Sequence, residues 1–162
     1  MATLEIAARP GTAEEVRREF QFFLDRAKLQ GWKDLKVLFG FAWGNYIYEK
    51  DWIEEIMTPE RLAERVAAAE SAKDGKIGAD DLYVTPLAIG VQHTFCHEAD
   101  IHLEGPEDSE YISSEAARFG SLGWDVYERT KTPNRAVDST ATRVTPPAWS
   151  LRSRQESRHG QP

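Results

Sequence analysis

The sequence predicts an α+β fold: a mainly antiparallel sheet packed by about three helices, in a single domain over residues 1–130, followed by a disordered C-terminal tail. Three observations carry this. Two capped amphipathic patterns of helical period lie among apolar runs too short to be helices, the short runs are spaced as in hairpins, and both kinds of pattern stop near residue 130. At 162 residues, with 41% hydrophobic and 29% charged residues, the chain can bury one core.

Leu4, Ile6 and Ala8 fall on every second position and predict a short first strand. Thr12 and Glu15 form a T-x-x-E capping box, and Val16, Phe20, Phe23, Leu24 and Ala27 recur on one helical face, so a helix is expected over 13–29 with Gly31 as its stop. Leu35 to Trp43 is short, apolar and aromatic, which suits a buried strand. Gly44-Asn45 is a turn signal after which Tyr46 to Tyr48 would return as a partner strand. Asp51 to Met57 fits either a strand end or a helical turn. Thr58-Pro59 starts a second helix, with Leu62, Val66 and Ala69 on its apolar face and Asp74-Gly75 at its end. Residues 82–85 read as a strand closed by Pro86. Ser109 caps a third helix carrying Tyr111, Ile112, Ala116 and Phe119, which stops near Gly120 or Gly123, and Trp124 to Tyr127 reads as a last strand.

The charge is uneven. Residues 131–162 hold six Lys/Arg and two Asp/Glu, so residues 1–130 keep 14 basic and 25 acidic side chains, a net of −11. An acidic body disfavours nucleic acid as a partner and suits a basic protein, although acidity also serves solubility alone. The tail, residues 131–162, has four of the eight prolines and only seven residues of the apolar set, too few to offset the entropy of ordering it. The N-terminal stretch has no secretory pattern, no apolar run approaches the length of a membrane span, and the single cysteine, Cys96, suits a reducing compartment. Together these predict a cytoplasmic protein without membrane contact.

The chemistry-bearing stretch is 91–103. Read as one strand, it places Val91, His93, Phe95, His97, Ala99, Ile101 and Leu103 on an apolar face, and Gln92, Thr94, Cys96, Glu98, Asp100 and His102 on a polar one. Cys96, Glu98, Asp100 and His102 are all ligand types for a divalent metal, with Asp80 or Asp81 as a further oxygen. Against a shared ion, same-face side chains on one strand stand about 6.5–7 Å apart per pair of residues, so four could not converge without a bend. The commoner use of such a stretch is a solvated sheet face, or a turn after His97. His93 and His97 are candidate acid/base groups, or simply satisfied core histidines. Cys96 as a nucleophile lacks a well-placed base, since His97 would point to the opposite face. Glycine-rich phosphate loops and dinucleotide fingerprints are absent, and no organic cofactor is expected.

Two functional readings follow. The first is protein binding, of the kind an inhibitor or immunity partner of a basic bacterial toxin would show, with Asp80, Asp81, Glu98 and Asp100 steering and Tyr46, Tyr48 and Trp52 anchoring. The second is a metal-dependent hydrolase built on Cys96 to His102.

Overall fold

A computed structural model describes residues 3–40, 43 and 53–131. Its elements run β1 (Thr3–Arg9), α1 (Ala13–Leu29), β2 (Leu35–Phe39), β3 (Glu55–Met57), α2 (Pro59–Ala72), β4 (Leu82–Pro86), β5 (Gln92–Phe95), β6 (Ile101–Pro106), α3 (Glu110–Ser121) and β7 (Asp125–Lys131). The strands make one sheet in the order β3-β2-β4-β5-β6-β1-β7, with every neighbouring pair antiparallel. The α+β class, the antiparallel sheet and the three packed helices are those the sequence predicts.

Two crossovers organise the sheet. β3 and β4 flank β2 and are joined by α2, while β6 and β7 flank β1 and are joined by α3. Each is a split β-α-β unit, two parallel strands with an antiparallel one between them. The helices cover one face. Ile6, Val37, Val84, Phe95 and Leu103 from the strands meet Phe20, Leu24, Leu62, Ile112 and Phe119 from the helices in a single buried cluster. Each such side chain taken fully from water stabilises the fold by roughly 1.5–3 kcal/mol.

The helix ends follow their sequence signals. Thr12 Oγ1 accepts from Glu15 N–H and donates to a Glu15 carboxylate oxygen at 2.7 Å, and Thr58 accepts from Arg61 N–H ahead of Pro59. Ser109 caps α3 through Ile112 N–H. One end differs: α2 closes on Lys73, which takes the left-handed conformation itself (φ 63°), so that Asp74 N–H reaches the Ala69 carbonyl. The sequence pointed to Asp74-Gly75 because left-handed caps favour glycine.

The strand expected over 35–43 ends at Phe39, because Gly40 N–H turns to the Asp81 carbonyl at 2.9 Å. Its outer neighbour is β3, within the ambiguous Asp51 to Met57 stretch. The Tyr46 to Tyr48 strand lies outside the described residues, as does the tail expected over 131–162 except for Lys131, which pairs with Thr3 and so belongs to β7.

Residues 91–103 are not one strand but a hairpin, β5 and β6. Phe95 pairs with Ile101, Cys96 N–H donates to the Asp100 carbonyl at 2.9 Å, and Ala99 N–H donates to the Cys96 carbonyl at 3.2 Å. His97, Glu98 and Ala99 form the loop, with Ala99 left-handed at φ 61°, the geometry of a three-residue connection. Because Phe95 and Ile101 face each other, Val91, His93, Phe95, Ile101 and Leu103 all stay on the core side as expected, and Ala99 in the loop still packs against the core, whereas His97 leaves it. An alanine in the left-handed region costs about 1–2 kcal/mol, part of which glycine recovers. Ala99→Gly should therefore raise stability by about 0.5–1 kcal/mol, read as a higher urea midpoint at unchanged slope. A lower midpoint would show that the Ala99 methyl packing outweighs the backbone strain.

Candidate metal centre

The site is assembled where β4 begins and β5 ends. Asp81 is 7% exposed and serves four donors. Its main-chain carbonyl accepts from Gly40 N–H at 2.9 Å and from Trp43 Nε1 at 2.7 Å. Its carboxylate Oδ1 accepts from His97 N–H at 2.9 Å and lies 2.8 Å from His97 Nδ1. Two glycines permit the crowding. A Cβ on Gly40 would stand 2.6 Å from the Tyr83 ring and 3.0 Å from Asp81 Cβ, and one on Gly75 would stand 2.3 Å from the Trp43 indole.

Because the chain turns after Cys96, the thiol and the His97 imidazole come together despite the alternation expected of a strand. Cys96 Sγ lies 3.8 Å from His97 Nδ1. Asp81, Cys96 and His97 each offer a ligand atom, all within 4.8 Å of one another, and they are the one such trio among the described residues. The local charge is acidic. The hydrogen bond to Asp81, then its charge, raises the His97 pKa, with Glu98 and Asp80 adding to it. Burial first, and the charges of Asp81 and Glu98, push the Cys96 thiol up to about 11, so it is protonated and a poor nucleophile at neutral pH.

The quartet Cys96, Glu98, Asp100 and His102 does not converge. Glu98 is exposed in the loop, Asp100 accepts from Arg9 Nε at 3.3 Å, and His102 Nδ1 faces Glu5 on β1 at 3.4 Å. Asp80 accepts from Lys76 N–H at 2.6 Å, which ties down the loop after α2. Of the steering set, Asp81 and Asp100 are thus buried and already held by partners within the chain. Tyr46, Tyr48 and Trp52 lie outside the described residues. His93 sits on the helix side of the sheet, within the core against Phe23 and Tyr111, remote in role from His97.

Sequence reading passed over a second polar group, Glu115. It is 3% exposed and accepts from Arg26 at 2.6 Å and from Arg118 at 2.9 and 3.1 Å. The signal was present: Glu115 falls between Ile112 and Phe119 on the buried stripe of α3, where a lone charge requires a partner.

Comparison with known proteins brings no relative: no family model, no curated protein and no solved structure matches the chain. Among the described residues no helix is long and apolar enough to cross a membrane.

His93 makes the fold acid-sensitive. Burial, then the charges of Arg26 and Arg118, lowers its pKa from 6.5 to about 3. The unfolded chain therefore takes up this proton below pH 6.5 while the folded chain does not. The contribution to stability is complete above 6.5 and is lost as pH falls toward about 3, at roughly 1.4 kcal/mol per unit. Urea unfolding of the wild type and His93→Leu between pH 7 and 4 should show that slope in their difference; parallel curves would refute it.

Proposed function

We propose that the protein binds one divalent transition-metal ion of the zinc class through Asp81, Cys96 and His97. The observation that carries this reading is the 4.8 Å cluster of a thiol, an imidazole and a carboxylate at the ends of two paired strands. Zinc bonds of about 2.0–2.3 Å in a tetrahedron put neighbouring ligand atoms about 3.3–3.6 Å apart. The Sγ–Nδ1 separation of 3.8 Å is close to that, and the 2.8 Å Nδ1–Oδ1 contact opens by less than an ångström once the shared proton leaves. Thiolate and imidazole select zinc-like ions over magnesium or calcium. Three protein ligands leave a fourth position, which a hydrolase of the kind considered above would require. His93 cannot act there as the base, since it lies in the core on the helix side.

A second reading, recognition of a basic protein in the manner of an inhibitor or immunity partner, draws support from the net −11 of residues 1–130. It is also supported by Ile53 and Ile56, each 57% exposed, at and beside the short edge strand β3. Exposed apolar residues on a sheet edge suit pairing with another chain. Its test is co-purification from the native host against an Ile56→Lys, Glu98→Lys variant; equal recovery of partners by both forms would exclude it.

Metal binding is tested on full-length protein stripped with chelator and titrated with zinc, then with cobalt as a spectroscopic stand-in. One equivalent should bind, with a thiolate-to-cobalt absorption band. Affinity should rise with pH because Cys96 must lose its proton. Cys96→Ala should weaken binding at least about 10–100-fold, the scale seen even for lesser perturbations of metal sites. Substoichiometric binding, or binding unchanged in Cys96→Ala, would overturn the assignment.

A further inference from the structure

The helix side of the sheet holds a second polar enclosure, between α1 and α3 above β5 and β6. A void of about 10 Å³ lies there, lined by Phe23, Phe95 and Ile101 as well as by polar side chains. That is the space the centre of one water molecule occupies. His93 borders it, 4% exposed, and its buried Nε2 has no hydrogen-bond partner among the described residues. The imidazole is held between rings, with centroids 4.7 Å from Phe23 and 5.5 Å from Tyr111, so it has little freedom to find a partner elsewhere.

A chain of charges along its lining joins the two helices. Arg26 donates to Glu115 at 2.6 Å and to the Tyr111 hydroxyl at 3.3 Å, and Arg118 binds both Glu115 and Glu19. Phe22 lies under both guanidiniums, 5.0 and 4.4 Å from its ring centroid.

We propose that this void is a built site for one neutral, single-heavy-atom ligand, a water molecule, hydrogen-bonded to His93 Nε2 and completed by Tyr111 and Glu115. Three observations restrict the ligand. The volume admits one heavy atom. The two arginines and two glutamates balance one another, so an ion of either sign would add an unpaired charge to a buried site. An imidazole nitrogen left unpaired in the core costs about 1–3 kcal/mol, and water meets it in either tautomer because it both donates and accepts. Dry voids are lined by apolar groups alone, whereas this lining supplies the two to four polar partners a buried water needs. The Glu19–Arg118–Glu115–Arg26 chain then determines how long the water stays, since it leaves only when α1 and α3 part.

The test uses the full chain. A crystal structure at high resolution should show a peak 2.7–3.2 Å from His93 Nε2, the ordinary hydrogen-bond range. Water oxygen-17 relaxation dispersion should count one more long-lived water in the wild type than in His93→Leu. Tyr111→Phe, which keeps the packing, should reduce that amplitude without abolishing the fold. Glu19→Gln should keep the amplitude but shorten the residence time several-fold. Equal dispersion in the wild type, His93→Leu and Tyr111→Phe would overturn the proposal, as would a direct protein partner on Nε2 in the crystal. Should His93→Leu fail to fold, the wild-type density and the Tyr111→Phe amplitude decide the matter.

Discussion

Asp81 ties three parts of the chain together at one corner of the sheet. Its carbonyl stops β2 by taking the Gly40 N–H and seats Trp43 by taking the indole N–H, while its carboxylate fixes the loop of the β5–β6 hairpin through His97. A carboxylate at 7% exposure is tolerable only because these donors meet it. The candidate metal centre is therefore a by-product of a structural knot: the side chain that organises the corner also brings a thiol and an imidazole to one place.

The sheet separates two kinds of polar chemistry. On the helix side, His93 and the chain Glu19, Arg118, Glu115 and Arg26 lie among aromatic rings, and the two arginines balance the two glutamates. At the β4–β5 corner, Asp81, Cys96 and His97 sit in an acidic surround with the imidazole side chain 46% exposed. The first arrangement suits stability and slow exchange, since its charged members are paired with one another and only His93 Nε2 is left without a partner among the described residues. The second suits exchange with solvent, since ligand atoms are held in place while one of them still faces water.

Much of this was legible in the residues. Thr12, Thr58 and Ser109 marked three helix starts because an oxygen-bearing cap has a direct local role, and the apolar period of α1 named its buried face residue by residue. The hairpin at 96–100 was not legible as a single solution. Its left-handed position is occupied by Ala99, which carries no turn signature, and the unbroken parity of residues 91–103 imitates one strand. The metal trio was hidden for the same reason: alternation assigns Cys96 and His97 to opposite faces, and only the turn reverses that. Asp81 was weighed as an extra oxygen, but its dominance depends on pairings across the sheet that no local pattern encodes.

Trp43 rests its indole against the backbone at Gly75 and reaches Asp81 across 38 residues of chain. That seat does not exist until α2 has formed, ended and returned the chain to the sheet. The indole is thus a natural optical label for the completion of the β3-α2-β4 half. Trp32, packed on Phe23 and Tyr111, and Trp124, stacked on Phe119, belong instead to the half built around α1 and α3. The molecule carries within its own tryptophans a means of telling in which order its two halves assemble.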